Sequence, residues 1–212
     1  MTKDKALEIY TQLKTMHPDA RCELNFTTPF ELLVAVILSA QCTDKRVNIA
    51  TEKLFQVYNT PEQYAALTLE ELSPYIRSCG FFNSKGKNII AMSKELVQKY
   101  NGEVPKDLDK LTTLAGVGRK TASVVLAVAF DIPAMPVDTH VNRVSKRLAL
   151  SDGNTVKKVE EDLKDLYPEE LWNSLHHYLI FHGRYTCSAR KPDCGKCLLK
   201  QNCAFYQNEV TK

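Results

Sequence analysis

Threonine-headed turns recur along this chain just ahead of apolar stretches, and they constrain what it can fold into. Thr28-Pro29-Phe30-Glu31, Thr60-Pro61-Glu62-Gln63 and Thr68-Leu69-Glu70-Glu71 each set a capping hydroxyl three residues before a Glu or Gln. Two of them place proline at the first helical position. Such a segment satisfies the orphan N–H groups that every helix start exposes. The first leads into Leu32 to Leu38, apolar on all sides, which predicts a buried helix. Thr43 predicts a helix to about Tyr58, Asn83 one to Tyr100 ended by Gly102 and Pro105, and Asp107 a short helix before a glycine turn. Asp138 and Thr155 head two more, and a last long helix runs from about Pro168 to His182 with Gly183 as its stop. Strand-like alternation is scarce, so the expectation is an all-α chain of ten or so helices with short loops. Two prolines in Asp131-Ile132-Pro133-Ala134-Met135-Pro136 break the helical pattern and mark a boundary between two lobes.

A chain of 212 residues can bury a core without disulfide staples. It has no apolar run of ~18 residues, hence no membrane span. Met1 to Lys5 leads into no apolar stretch, which predicts no export signal and a cytoplasmic protein. The net charge of +3 is unevenly placed. Arg184, Arg190, Lys191, Lys196, Lys200 and Lys212 face only Asp193 and Glu209 in the last thirty residues, while the rest is close to neutral. A basic tail on a neutral body suits a polyanion, although a solubilising surface has the same composition.

Leu114-Ala115-Gly116-Val117-Gly118-Arg119-Lys120 is a tight glycine turn opening into the apolar run Ala122 to Phe130. A turn of this kind offers backbone N–H groups and the positive end of a helix dipole, a ready phosphate site. Lys120 falls in the first helical turn. It serves either as one more phosphate contact or as an amine nucleophile, since the helix start and Arg119 both disfavour its ammonium form. Asp138, in Pro136-Val137-Asp138-Thr139-His140, reads as a helix N-cap whose carboxylate can also face a cleft and handle protons.

Cys187, Cys194, Cys197 and Cys203 lie in one short window, spaced C-x6-C-x2-C-x5-C. In a chain without an export signal this is a metal site rather than a disulfide pair. All four ligands are thiolates, so no position is left for substrate and the metal is structural. Zinc and a 4Fe–4S cube both take such donors; a single C-x2-C knuckle flanked by wider loops favours the cube. Arg190, Lys191 and Lys196 ride on that loop. Cys22, Cys42 and Cys79 are scattered and read as small buried hydrophobes. His176, His177 and His182 lack the spacing of a facing ligand pair.

Taken together these residues resemble the endonuclease III family, in the helix-hairpin-helix superfamily of DNA glycosylases. The resemblance covers nearly the whole chain. Leu114 to Ala122 is similar to the family hairpin with its catalytic lysine at Lys120, and Val137 to Val141 to the segment holding the catalytic aspartate, Asp138. Leu38-Ser39-Ala40-Gln41-Cys42-Thr43-Asp44 resembles the lesion-side loop. His182 to Cys187 leads into the cluster loop at 187–203, whose cysteine spacing is the family's own.

The resemblance implies two lobes: a six-helix lobe over 22–132 carrying the helix-hairpin-helix, and an iron–sulfur cluster lobe made of 1–21 plus 133–212, with a DNA cleft between them. It implies one 4Fe–4S cluster on the four cysteines, and a monomer acting on double-stranded damaged DNA. The implied activity is removal of oxidised or ring-saturated pyrimidines through a lysine Schiff base, followed by β-elimination at the abasic site. Gly116, Val117, Gly118, Arg119, Thr121, His140, Arg184, Arg190 and Lys191 would contact DNA. Gln41 would fill the gap of the flipped nucleotide, and Phe81 would wedge into the stack. Ala115 stands where most relatives have proline, and Phe81 where leucine is common, which bears on lesion preference. Sister readings are a mismatch thymine glycosylase and an adenine-mismatch glycosylase; the latter lacks the lysine. A non-enzymatic helix-hairpin-helix module would explain the hairpin and the tail but not Lys120 beside the Asp138 segment.

Overall fold

A computed structural model describes residues 1–210. Among these the chain is all-helical, with no strand. It divides into two compact units, one of Glu23–Ile132 and one of Met1–Cys22 with the chain from Pro133 onward.

The continuous unit holds α2 (Pro29–Ser39), α3 (Asp44–Val57), α4 (Pro61–Ala66), α5 (Leu69–Ile76), α6 (Phe82–Tyr100), α7 (Leu108–Thr112) and α8 (Arg119–Phe130). The threonine caps form as predicted: Thr28, Thr43, Thr60 and Thr68 accept from the N–H of Glu31, Arg46, Gln63 and Glu71. Only the boxes at Thr60 and Thr68 are reciprocal. Glu31 instead reaches one residue further back, accepting from the N–H and the hydroxyl of Thr27 at 2.6 Å each. That is how a carboxylate only 4% exposed stays satisfied on a helix whose residues Phe30 to Leu38 are all buried. α2 packs on α8, and α6 packs on α4 and α5. Asn83 does not cap α6, contrary to expectation. The helix begins at Phe82, with Phe81 before it in the left-handed region at φ 48°. The Lys85 N–H bonds Phe81 O at 3.1 Å, which closes the first turn around Asn83 and leaves it inside the helix.

The second unit contains α1 (Lys3–Met16), α9 (Thr139–Arg147), α10 (Val156–Leu166) and α11 (Trp172–Phe181), around a core that includes Ile9, Leu13, Val141, Val144, Leu163 and Leu179. Asp138 and Thr155 cap α9 and α10 as expected. The predicted last helix is broken up: a 3-10 turn at Glu169–Leu171 precedes α11, and a π turn, His182–Thr186, follows it. Gly183 is therefore not a stop. A Cβ there would come 2.9 Å from His140 Cβ, so the glycine lets α9 approach the π turn. Among the described residues no helix is long and apolar enough to cross a membrane.

Candidate functional site

In the continuous unit, the hairpin joins α7 to α8 through Leu114–Gly118. Gly116 has φ 76°, a conformation glycine adopts without strain, and a Cβ there would lie 2.7 Å from Asn88 Cβ of α6. Gly118 is the N-cap residue of α8 and offers no side-chain cap; nothing lies within 4 Å of where its Cβ would stand. An uncapped helix start with open space before it suits an incoming phosphate. Leu114 and Val117 are buried and anchor the turn, whereas Gly116, Gly118, Arg119 and Lys120 are exposed and Thr121 is half-buried. Of the hairpin residues expected at DNA, Val117 thus holds the turn from inside through its side chain and has only its backbone to offer.

Two further loops of this unit carry Gln41 and Phe81. Both residues are exposed and both have positive φ, 54° and 48°. For residues other than Gly, Asn or Asp this is an uncommon backbone state that costs energy and collects at functional sites. Phe81 is 70% exposed, on a loop and free of any core role. Cys79 is buried as expected, but Cys22 and Cys42 are half-buried, so the description of all three as core hydrophobes is corrected.

In the other unit, Asp138 Oδ1 accepts from the Val141 N–H at 2.8 Å, and the residue is half-buried. One capping bond engages a single lone pair, which leaves the carboxylate able to act elsewhere. His140 beside it is held below the usual imidazole range chiefly by burial, with Asp138 opposing that shift. Its Nδ1 lies 3.2 Å from Arg143 Nη2, so it belongs to a side-chain framework within the unit. Arg184 is half-buried on the π turn, while Arg190 and Lys191 are exposed on the cysteine loop. Lys196 forms an exposed pair with Asp193 at 3.3 Å.

Cys187, Cys194, Cys197 and Cys203 line one small pocket, walled by Leu148, Pro192, Phe205 and Tyr206 and partly open to solvent. Burial, with neighbouring thiols adding to it, pushes the Cys197 thiol up to about 11 and raises Cys194 and Cys203 as well. Four thiolates here require compensating positive charge. Among the described residues, no three His, Cys, Asp or Glu side chains are gathered to hold one metal ion.

Sequence reasoning missed the residues that hold this loop. Arg147 of α9 donates from Nη1 to Cys187 Sγ at 3.2 Å and to Ser188 O at 2.8 Å, and from Nη2 to Ala189 O at 2.8 Å. Its guanidinium lies 4.2 Å from the Phe205 ring centroid. Arg143 donates from Nη2 to Gly183 O at 2.9 Å and to Cys187 O at 3.2 Å. The available signal was their spacing of four, which puts both guanidinium groups on one face of the helix that Asp138 begins.

The profile of the HhH-GPD superfamily base excision DNA repair proteins matches residues 34–169. The chain is 52% identical over 207 residues to the endonuclease III of Haemophilus influenzae, covering 98% of each chain. Its fold is similar to that of an endonuclease III in a trapped covalent intermediate with DNA, with a TM-score of 0.95, 48% identity and 99% of both chains covered. A thermostable thymine-DNA glycosylase is more distant, with a TM-score of 0.86, 25% identity and 97% of both chains covered. With its all-helical fold, full-length similarity and superfamily match, this chain belongs to the endonuclease III family of HhH-GPD base excision DNA repair proteins.

Proposed function

We propose that Lys120 and Asp138 carry the reaction of this base excision repair enzyme, a DNA glycosylase and abasic-site lyase, on oxidised or ring-saturated pyrimidines in duplex DNA. The observation that carries this assignment is the position of Lys120: an exposed amine in the first turn of an uncapped helix, directly after a glycine turn suited to phosphate. The backbone of Gly116–Gly118 and the cations Arg119, Arg184, Arg190 and Lys191 grip the phosphates. The damaged nucleotide leaves the stack at a cost of a few kcal/mol, least for bases already poorly stacked. Gln41 fills the gap and Phe81 wedges into the stack; their exposed, positive-φ loops support that role.

Lys120 Nζ attacks the sugar C1′, the bond from C1′ to the base breaks, and the base departs with the electron pair. The aminal so formed loses a proton from nitrogen, the C1′–O4′ bond breaks as O4′ takes up a proton, and the ring-opened iminium acidifies C2′. Loss of that proton expels the 3′ phosphate oxygen, and water then releases the sugar end from the lysine. Asp138 takes up and returns protons through the carboxylate oxygen not used in capping, and steadies the developing positive charge. One chain suffices for all of this, working on chromosomal DNA in the cytoplasm.

The four thiols fit one 4Fe–4S cluster. A single zinc takes the same thiolate donors, but one C-x2-C knuckle, Cys194 and Cys197, with wider loops to Cys187 and Cys203, favours the larger cube. A cube takes one thiolate at each corner iron and so spaces them more widely. When bound, the cluster supplies a structural crosslink and positive charge among buried thiols. The chain supplies the rest: Arg147 donates to Cys187 Sγ, the Tyr206 N–H to Cys203 Sγ at 3.5 Å, and the loop so fixed presents Arg190 and Lys191 outward.

The test is borohydride trapping on a duplex carrying thymine glycol. Wild type forms a covalent adduct, and Lys120→Ala does not; an adduct with Lys120→Ala overturns the assignment. Comparison with a T·G mismatch duplex separates this activity from that of a thymine mismatch glycosylase.

A further inference from the structure

Lys85 is a buried cation, 7% exposed, near the start of α6. Its Nζ donates to Leu38 O at 2.8 Å and to Cys79 O at 2.7 Å. Leu38 lies in the last turn of α2, and Cys79 ends the 3-10 turn Arg77–Cys79. Both acceptors are thus helix-terminal carbonyls that lack intrahelical donors and sit at the negative end of a dipole. The chain leaves the first toward Gln41 and the second through Gly80, at φ 63°, to Phe81. The Lys85 N–H also donates to Phe81 O at 3.1 Å. One residue therefore fixes the roots of both loops.

Packing alone does not account for a lysine here. Burying an ammonium is costly, and a methionine would fill the same space without that cost. Burial holds the Lys85 ammonium below the usual lysine range, with Cys42 and Cys79 opposing that shift, and Cys42 directly follows Gln41. One turn along α6, on the same face, Asn88 backs the Gly116 turn of the hairpin. A single helix face thus supports all three exposed segments of this unit.

We propose that Lys85 is a positioning residue for base extrusion: its buried ammonium couples the Gln41 loop to the Phe81 loop, so that the residue filling the gap and the residue wedging the stack enter the duplex together. This rests on the reading that Gln41 and Phe81 enter the stack.

The experiment follows stack opening by 2-aminopurine fluorescence on a duplex carrying thymine glycol, alongside single-turnover base excision, in the cluster-loaded full chain. Lys85→Met keeps the aliphatic stem and removes the donors. The opening rate is expected to fall about tenfold or more, as for a displaced positioning group. In the wild-type background Gln41→Ala and Phe81→Ala are expected to be non-additive, and in the Lys85→Met background additive, because the link between the loops is gone. A folded Lys85→Met protein that opens the stack at the wild-type rate with the coupling intact overturns the proposal. If Gln41→Ala and Phe81→Ala are themselves silent, the insertion reading fails instead, and Lys85 loses its role with it. Should Lys85→Met fail to fold, native-state hydrogen exchange of the wild type decides. The amides of Cys42 and Lys85, bonded to Ser39 O and Phe81 O at the two loop roots, are expected to open together, and independent opening overturns the coupling.

Discussion

Asp138 accepts a hydrogen bond from the Val141 N–H at 2.8 Å, a geometry that asparagine reproduces and alanine does not. Capping and catalysis can therefore be pulled apart by substitution. Asp138→Asn is expected to leave the melting temperature nearly unchanged, because asparagine caps as well as aspartate, while base excision falls about 10²- to 10⁴-fold. Asp138→Ala adds a stability loss of about 1 kcal/mol to the same defect. Equal activity of the asparagine variant and wild type would reduce Asp138 to a cap.

Lys120→Gln keeps a long polar side chain on α8 and removes the amine. Base excision and strand nicking are expected to fall at least about a thousandfold, with duplex affinity within a few-fold of wild type. The check is single-turnover kinetics beside a binding isotherm at fixed salt. A loss confined to affinity would make Lys120 a phosphate contact.

The two hairpin glycines should respond differently to alanine. Gly116→Ala forces a Cβ into positive φ and against Asn88, with an expected cost of roughly 1–3 kcal/mol in chemical denaturation. Gly118→Ala has room and an ordinary φ of −84°, so stability changes by less than about 0.5 kcal/mol. Its methyl group instead occupies the space proposed for phosphate, and duplex affinity drops while the fold is unchanged.

Arg147→Met removes the donor to Cys187 Sγ and the two carbonyl clamps, yet keeps an apolar chain against Phe205. With the proposed 4Fe–4S cluster bound, its yellow-brown absorbance is expected to fade several-fold faster in air than in wild type. Duplex affinity weakens in parallel as the loop bearing Arg190 and Lys191 loosens. Lys196→Met, which removes only an exposed pair, leaves cluster lifetime unchanged.

Burial lowers the His177 imidazole below its ordinary value of about 6.5. The unfolded chain then binds the proton more readily, so stability is full above about pH 6.5 and declines as the pH falls below it. Urea midpoints at pH 7.5 and 5.5 are expected to show that decline. His177→Phe, which cannot titrate, should make it shallower; an unchanged slope would remove His177 from the acid response.

Local chemistry was readable in the sequence, and long-range support was not. Thr28, Thr43, Thr60, Thr68, Asp107, Asp138 and Thr155 all cap the helices they precede, because a cap is decided within four residues. Asn83 has the right chemistry but lies inside α6, since the Lys85 N–H and ammonium hold Phe81 O and Cys79 O just before it. Gly183 looked like a terminator and is a point of close approach to His140. The glycine turn, the exposed amine at its end and the four thiols that line one pocket stood out by residue type and spacing. Arg143, Arg147 and Lys85 did not, because their partners lie 40 or more residues away, or on a loop whose path depends on other helices.

The two units differ in how they use the chain. Glu23–Ile132 is one unbroken segment, while the other unit needs α1 from the start and α9 to α11 with the cysteine loop from the end. On the ribosome, where domains generally fold as units from the N-terminus, the segment bearing Lys120 can reach its native state while α1 still waits for its partners. The unit bearing Asp138 closes only after Cys203 has emerged. Under the roles proposed for Lys120 and Asp138, the two residues thus belong to units completed at different stages of synthesis.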